Sequence, residues 1–340
     1  MTESSGLLFL NGTLITHGDS GNPPALYEID TITGLPSRTV YIGNATNVDW
    51  EDITADFTHI FIGDFGNNQG TRQNLRIYKI SQADYWASDT VFADTINFSY
   101  ANQSSFTPAP FQTNFDCEAM AWLNDSLFLF TKQWGGQGGC RVYGLPKIPG
   151  TYSLPVHDSL GFPGGVVTAA DMVHDALVDA LVLLINDTQP RLHARYNLTN
   201  SKFSTGTNSE NILILPGSIQ AEGLATNGRN EYYFTSEAFL GKPSVLSVLR
   251  KNPLFNIIEN DGNAAFKTFP NPTNDFVTID FGAHFSGDIS VLDATGKLIL
   301  KKDFSNESAL QIQLPAASGV YFLEVKFEDG THEVQRVVKF

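Results

Sequence analysis

What most constrains this chain is a fivefold internal repeat. Residues 2–30, 49–81, 116–146, 169–198 and 220–249 follow one plan: an acid, a small and apolar run, a turn at Asn, Asp or Gly, an aliphatic or aromatic return, a polar break and a third run. The leading acids are Glu3, Glu51, Glu118, Asp171 and Glu222, spaced by 48, 67, 53 and 51 residues. That interval suits a four-stranded antiparallel unit with its loops and not a helical repeat. One such unit cannot cover both faces of its own sheet, so five are expected to pack radially about an axis. The expected fold class is all-β: a five-bladed β-propeller, with six blades as the alternative, over residues 1–260. Fourth strands are expected at 37–42, 94–100 and 211–216, with residues 253–260 completing the fifth blade. The long second interval reflects an insertion at 101–114.

In a propeller the first strand of each blade lines the channel and the second runs back along it, so the start of one and the end of the other share a rim. The polar breaks at His17, Asp64, Lys132, Asn186 and Ser236 follow the leading acids by 14, 13, 14, 15 and 14 residues, which places both groups at one mouth. Two carboxylates about 8 Å apart repel by roughly 2 kcal/mol at an effective dielectric near 20. A ring of them needs protonation, cationic partners or a bound metal. Lys132 is a rim cation, and His17 and His174 add partial charge. Carboxylate and amide oxygens suit Ca²⁺, so Glu3, Glu51, Glu118, Asp171, Glu222 and Asp64 are the candidate metal ligands. The same acids also suit a structural role, accepting backbone N–H groups from the next blade and holding the blades in register, or plain turn chemistry.

Candidates for catalysis are weaker. His17 with Asp19 reads as a base and its orienter or as a turn, and Lys132 is the remaining candidate. Neither a zinc spacing, a phosphate loop nor a G-x-S-x-G elbow occurs. Trp50, Trp86, Trp122 and Trp134 read as a stacking floor for a carbohydrate or small-molecule ligand at the channel mouth, or as packing between blades. The two cysteines, Cys117 and Cys140, fall on the first and third strands of one unit, too far apart for a comfortable bridge, and are expected as buried or half-buried free thiols, with a loop-distorted bridge as the alternative.

Charge limits the partners. The chain has 36 acidic and 21 basic residues, a net charge of −15, with no cationic cluster for phosphate. Nucleic acid and anionic membrane surfaces are therefore poor partners, and no nucleic-acid partner is expected. No run of eighteen apolar residues is present, so no transmembrane helix is expected.

From residue 266 the pattern changes. Residues 261–265 read as a linker, and residues 266–340 hold about seven short alternating runs, expected as a small C-terminal β-sandwich. Its net charge is −3, so the repeat region carries most of the acidity. This tail contains "PNP" at Pro270, Asn271 and Pro272, "DATGK" ending in Gly296 and Lys297, "LPAASGVYFLEV" with Leu314, Gly319, Val320 and Tyr321, and a closing "VVKF" with Lys339. In these motifs and their order it resembles the type A C-terminal sorting domain of the type IX secretion system of Bacteroidetes-like bacteria. The resemblance implies a targeting signal read by the type IX secretion machinery, and a secreted or outer-membrane surface-attached protein. It also implies an N-terminal export signal, which residues 1–12 lack, so a truncated start or omitted residues are expected.

The repeat region resembles secreted bacterial propellers with E-x-S-G-L, D-W-E-D-I and G-D-F-G-N-N blocks, here at Glu3 to Leu7, Asp49 to Ile53 and Gly63 to Asn68. More distantly it resembles calcium-holding propeller hydrolases, with an acid from each blade facing the channel. Three functions stay open: a cation-binding propeller, with hydrolysis of phosphoester, lactone or sugar substrates as one use of the site; a non-catalytic surface binding or adhesion module; and a purely scaffolding β-protein.

Overall fold

The computed structural model describes residues 4–134, 139–162, 165–174, 179–186, 190–212, 220–227, 231–236, 244–250, 266–293, 297–315, 317–328 and 332–339. The chain divides into two compact units, Met1–Arg250 and Lys251–Phe340. The expected linker and residues 253–260 lie outside the described residues.

In the first unit each repeat becomes one antiparallel sheet that starts from a two-strand hairpin. The hairpins follow from local chemistry. Asn11 and Gly12, with φ of 51° and 83°, make the mirror-image turn that matches strand twist. In the second repeat the Asp56 carboxylate closes the turn, accepting from Thr58 N and His59 N at 2.9 Å each. In the third, Asn124 takes the left-handed position with φ 55°.

The first strands of the five sheets are Ser4–Leu10, Trp50–Ala55, Asp116–Leu123, Val166–His174 and Ala221–Thr226. Asp116–Leu123 and Ala221–Thr226 are buried along their whole length, as strands covered on both faces must be. Each first strand packs against the next, and the fifth packs back on the first, which closes the ring.

Five apolar seams mirror that closure. Ile15 and Val40 of the first sheet meet Ile53 and Ile62 of the second, and Phe61 and Ile77 meet Met120 and Leu129 of the third. Phe130 and Val142 meet Leu181 and Leu183 of the fourth, and Val182 and Leu184 meet Leu224 and Phe234 of the fifth. Leu7 and Leu14 join Ala225 and Tyr233, returning from fifth to first. An all-β ring of radially packed sheets is a β-propeller.

The expected fourth strands appear as Pro36–Ile42 and Asp94–Tyr100, and a fourth-sheet strand runs Thr207–Ile212. Two sheets also borrow a strand: Thr90–Val91 pairs in parallel with Pro36–Ile42, and Gly150–Leu154 with Asp94–Tyr100. Arg38 ties the first loan, reaching Glu28 at 3.0 Å, Asp89 at 2.8 Å and the Tyr85 and Ser88 carbonyls at 2.9 Å. Cys117 and Cys140 are free and buried, on opposite faces of one sheet in different seams.

The second unit is a single curled sheet with its own core, including Val277, Ile289, Phe304, Leu323 and Val337. The expected short strands are fused in pairs: residues 276–281 and 288–293 form one strand, Phe276–Asp293, and residues 297–302 and 310–315 fall mostly in Leu298–Gln313. The pairing between these long strands slips between Asp280 and Phe285, where Gly282 takes φ 68°, so each bends without a turn.

Candidate functional site

Hairpin register decides which residues are equivalent. Each channel strand has a bulge near its start: between Trp50 and Asp52, Cys117 and Ala119, Val167 and Ala169, Ala221 and Gly223, and between Ser4 and Leu7 in the first sheet. A bulge leaves one residue unpaired and turns its side chain out of the pleat. That residue is Glu51, Glu118, Thr168 and Glu222 in sheets two to five, with Ser5 in the same place in the first. The equivalent ring is thus three carboxylates and two hydroxyls. Ser5 Oγ donates to the Glu51 carbonyl at 3.0 Å and Thr168 Oγ1 to the Ala221 carbonyl at 2.8 Å, each stitching one sheet to the next.

This register corrects one expectation. Asp171 lies three residues past Thr168, further down the channel strand. It accepts from Thr226 N of the fifth sheet and from Met172 N, both at 2.8 Å. Burial pushes its carboxyl up to about 7. It holds neighbouring strands in register and is not part of the acidic mouth. Glu3 lies outside the described residues.

The mouth brings to Glu51 two acids that the repeat pattern did not single out. Asp19, Asp49 and Glu51 each offer an oxygen within 4.8 Å of the others. Asp49 N donates to Asp64 Oδ1 at 3.1 Å, and the Asp49 carbonyl accepts from Phe65 N and Gly66 N at 3.1 Å each. The Asp19 carbonyl accepts from Asn47 Nδ2 at 2.8 Å. Gly66 is required by contact: a Cβ there would lie 2.1 Å from Glu51 Oε1 and 2.5 Å from Asp49 Oδ2. The D-W-E-D-I and G-D-F-G-N-N blocks are therefore two halves of one constellation.

Asp64 belongs to its support. It is fully buried, and Oδ1 accepts from Arg72 at 2.8 Å. Arg72 also donates to the Gly66 carbonyl at 2.8 Å, fixing the loop against the acids. Asn67 carries the loop to the third sheet, donating N–H to Asp116 Oδ1 at 2.6 Å.

On the other side of the mouth the Lys132 ammonium lies 3.0 Å from Glu118, with both groups buried, and sits 4.7 Å over the Trp134 ring. Trp134 Nε1 donates to Asp116 Oδ2 at 2.6 Å. Burial opposes the charge on Lys132, but Glu118, Glu222, Asp116 and Glu51 outweigh it and hold it above the usual lysine range. Lys132 is a neutralising partner.

Burial and then the charges of Glu118, Asp49 and Asp19 push Glu51 well above the ordinary carboxylate range. Burial and Asp19 raise Asp49 to about 7, with Arg72 pulling the other way. Glu118 and Glu222 are raised by burial against the pull of Lys132.

His17 does not form the expected pair with Asp19. It is fully buried, its Nδ1 meets the Gly18 carbonyl at 3.2 Å, and its ring packs edge-on to Trp50 at 5.6 Å. Burial lowers it to about 4, so it is neutral at pH 7. Asp52 was not among the expected sites. Fully buried, it accepts from Met120 N at 2.7 Å, Ala170 N at 3.3 Å and Ile53 N at 2.9 Å, tying three channel strands together. Burial raises it too, against these hydrogen bonds. Its sequence signal was the acid directly after Glu51, on the opposite side of the bulge.

In the second unit most of the tail motif residues meet at one end of the sheet. Lys339 is buried, and its Nζ reaches Asp275 Oδ1 at 2.9 Å and the Pro315 carbonyl at 2.7 Å. Val338 N donates to Asn271 Oδ1 at 2.9 Å, between Pro270 and Pro272. Gly319 pairs with Lys339, and the Tyr321 hydroxyl donates to the Ala317 carbonyl at 2.8 Å. Lys297 N donates to Asp293 Oδ1 at 3.1 Å, and Gly296 lies outside the described residues. No helix among the described residues is long and apolar enough to cross a membrane.

Comparison with known proteins separates the two units. No curated protein matches the chain by sequence. Among solved structures, it is similar to the Myceliophteria thermophila Cps50 (Swd1) β-propeller domain, with 9% identity and a TM-score of 0.37 over 99% of this chain and 84% of that one. A glucose dehydrogenase aligns with 9% identity and a TM-score of 0.40, covering 74% and 97% of the two chains. The computationally designed Ika4 protein aligns with 11% identity and a TM-score of 0.28, covering 63% and 92%. Residues 267–339 match the family described as the secretion system C-terminal sorting domain. The second unit is thus a type IX secretion C-terminal sorting domain, and the chain is a β-propeller protein that is secreted or attached to the outer-membrane surface.

Proposed function

We propose that the propeller is an extracellular binding module whose channel mouth takes a divalent cation, Ca²⁺ by ligand chemistry, through Asp19, Asp49 and Glu51. The observation that carries this is the approach of three carboxylates within 4.8 Å of one another, beside a glycine that leaves room for them. Asp19 and Asp49 each push Glu51 up, and Asp19 pushes Asp49 up. A hard cation would hold all three in the ionised form, and carboxylate and carbonyl oxygens are its preferred donors. Asp52 and Asp171 hold the channel strands in register beneath it, so the two roles open in the sequence fall to different acids. The sorting domain makes the propeller a secreted or surface-attached one, so a cation bound there would be extracellular, and it implies the secretion machinery as the partner of the second unit.

Hydrolysis of a phosphoester, lactone or sugar is the second reading: Asp49 lies within 4.8 Å of Asp19 and Glu51, and burial and Asp19 push it up to about 7, toward the range in which a general base works best. Calorimetric Ca²⁺ titration of the chelator-stripped protein tests the first reading. Saturable binding lost in Asp49→Asn supports it, and the absence of binding ends it. Turnover of phosphodiester, lactone or glycoside probes that disappears in Asp49→Asn would favour the second.

A further inference from the structure

The three acids of the mouth come from two sheets. Asp19 follows the first sheet's second strand, Thr13–Gly18, whereas Asp49 and Glu51 stand at the start of the second sheet's channel strand, Trp50–Ala55. The distance across this seam is set by loops and side chains and not by a strand ladder. Half-buried Asn47, in the connection between the two sheets, spans it. Its Nδ2 donates to two successive carbonyls, Gly18 at 2.9 Å and Asp19 at 2.8 Å, and its Oδ1 accepts from Trp50 N at 3.2 Å. The carbonyls can only accept and the Trp50 N–H can only donate, which fixes the orientation of the amide. One side chain thus grips the residue that carries the first carboxylate and the residue between the other two.

Both ends of the grip are anchored. Trp50 Nε1 donates to the Thr46 carbonyl at 3.0 Å and Thr46 N donates to the Tyr78 hydroxyl at 3.2 Å, which ties the connection to the second sheet. The Asp19 carbonyl also accepts from Asn22 N at 3.2 Å and Asn22 Nδ2 at 3.1 Å, closing the turn that presents Asp19. Gly18 makes room for that turn: a Cβ there would lie 2.7 Å from Asn22 Cβ and Cγ. Few side chains could replace Asn47. Aspartate would set an oxygen against two carbonyl oxygens, and serine can accept from Trp50 N but carries a single donor on a shorter arm. We propose that Asn47 is a positioning residue of the mouth, which holds Asp19 against Asp49 and Glu51 and thereby sets the affinity for a divalent cation. The effect on affinity rests on the cation reading above, and the grip on Asp19 does not.

Asn47→Ser keeps an acceptor for Trp50 N and removes the grip, so two measurements on the full chain at pH 8 test it. In chelator, where the crowded carboxylates repel, Asp19→Asn is expected to raise the melting temperature of the parent by about 2–4 °C, the scale of one relieved repulsion in a domain of this size. That gain should fall by at least half in the Asn47→Ser background, because a released Asp19 no longer presses on its neighbours. In calorimetric titration with Ca²⁺, Asn47→Ser should bind at least about tenfold more weakly than the parent, the scale of one to two lost hydrogen bonds. Added to Asp19→Asn it should weaken binding no further. The same thermal gain from Asp19→Asn in both backgrounds, or none in either, overturns the positioning. So does parent-like Ca²⁺ affinity in Asn47→Ser, or a full second loss in the double variant. No Ca²⁺ binding by the parent would end the cation reading instead, and the melts in chelator would still decide whether Asn47 holds Asp19.

Discussion

The Lys132 ammonium stands 3.0 Å from the Glu118 carboxylate with both side chains only 8% exposed, while Glu51, at the equivalent bulge of the neighbouring sheet, has Asp19 and Asp49 for company. One flank of the channel mouth therefore sets a lysine directly on its carboxylate, while on the other three carboxylates approach one another. Removing one partner of a buried pair leaves the other uncompensated, at a cost of about 3–5 kcal/mol. Lys132→Met is accordingly expected to lower the melting temperature sharply in chelator, with Ca²⁺ restoring more of the loss than it adds to the parent. Thermal melts with and without Ca²⁺ check this.

Gly66→Ala places a methyl group against both acids of the anionic flank. Weaker Ca²⁺ binding by at least about tenfold is expected, since the ligands must move apart from a geometry set by the loop. The fold should survive, because Gly66 is outside the strands. Calorimetry paired with a circular dichroism spectrum reads both.

Asp52 supplies the acceptor for N–H groups on two other channel strands. Asp52→Ala strands those donors and is expected to cost on the order of 3 kcal/mol. Asp52→Asn keeps an acceptor oxygen and mimics the neutral acid that burial favours, so it should cost much less. Denaturant unfolding of the two variants gives the comparison.

Stability should depend on pH in an unusual direction. Asp49 and Asp171 titrate at about 7 in the folded protein against an ordinary 3.8, so between those values the folded chain holds more protons than the unfolded chain. Stability then falls as pH rises from about 4 to 7. In chelator the melting temperature should be higher at pH 5.5 than at pH 8. Saturating Ca²⁺, which binds the ionised acids, should flatten that slope. Melts across pH in both conditions test it.

Cys117 and Cys140 should resist thiol reagents in the native state. Burial pushes the Cys140 thiol up to about 12 and Cys117 well above its ordinary value, leaving no thiolate to react. Two thiols should appear on unfolding in a colorimetric assay.

The propeller was legible because its repeat was: a unit that cannot bury its own faces leaves few architectures. The positions of the acids were legible to within a few residues. Glu51, Glu118 and Glu222 fall at one structural position, but Asp171 misses it by three, because an acid-led pattern cannot locate a bulge and Thr168 fills that place. That Asp49 and Asp19 would join Glu51 was hidden for another reason. They approach Glu51 through a turn and a loop whose course depends on Asp64, Arg72 and Gly66, contacts that no strand periodicity records. In the sorting domain, alternation marked the apolar runs correctly. It broke them where Gly282 lets the long strand bend, since a bend and a turn look alike in sequence.

Calorimetric titration of Ca²⁺ into the chelator-stripped full chain, set against Glu51→Gln, most directly tests whether the mouth holds a cation. One saturable site in the parent that disappears in the variant is predicted. No heat of binding in the parent, or an undiminished site in Glu51→Gln, would contradict it.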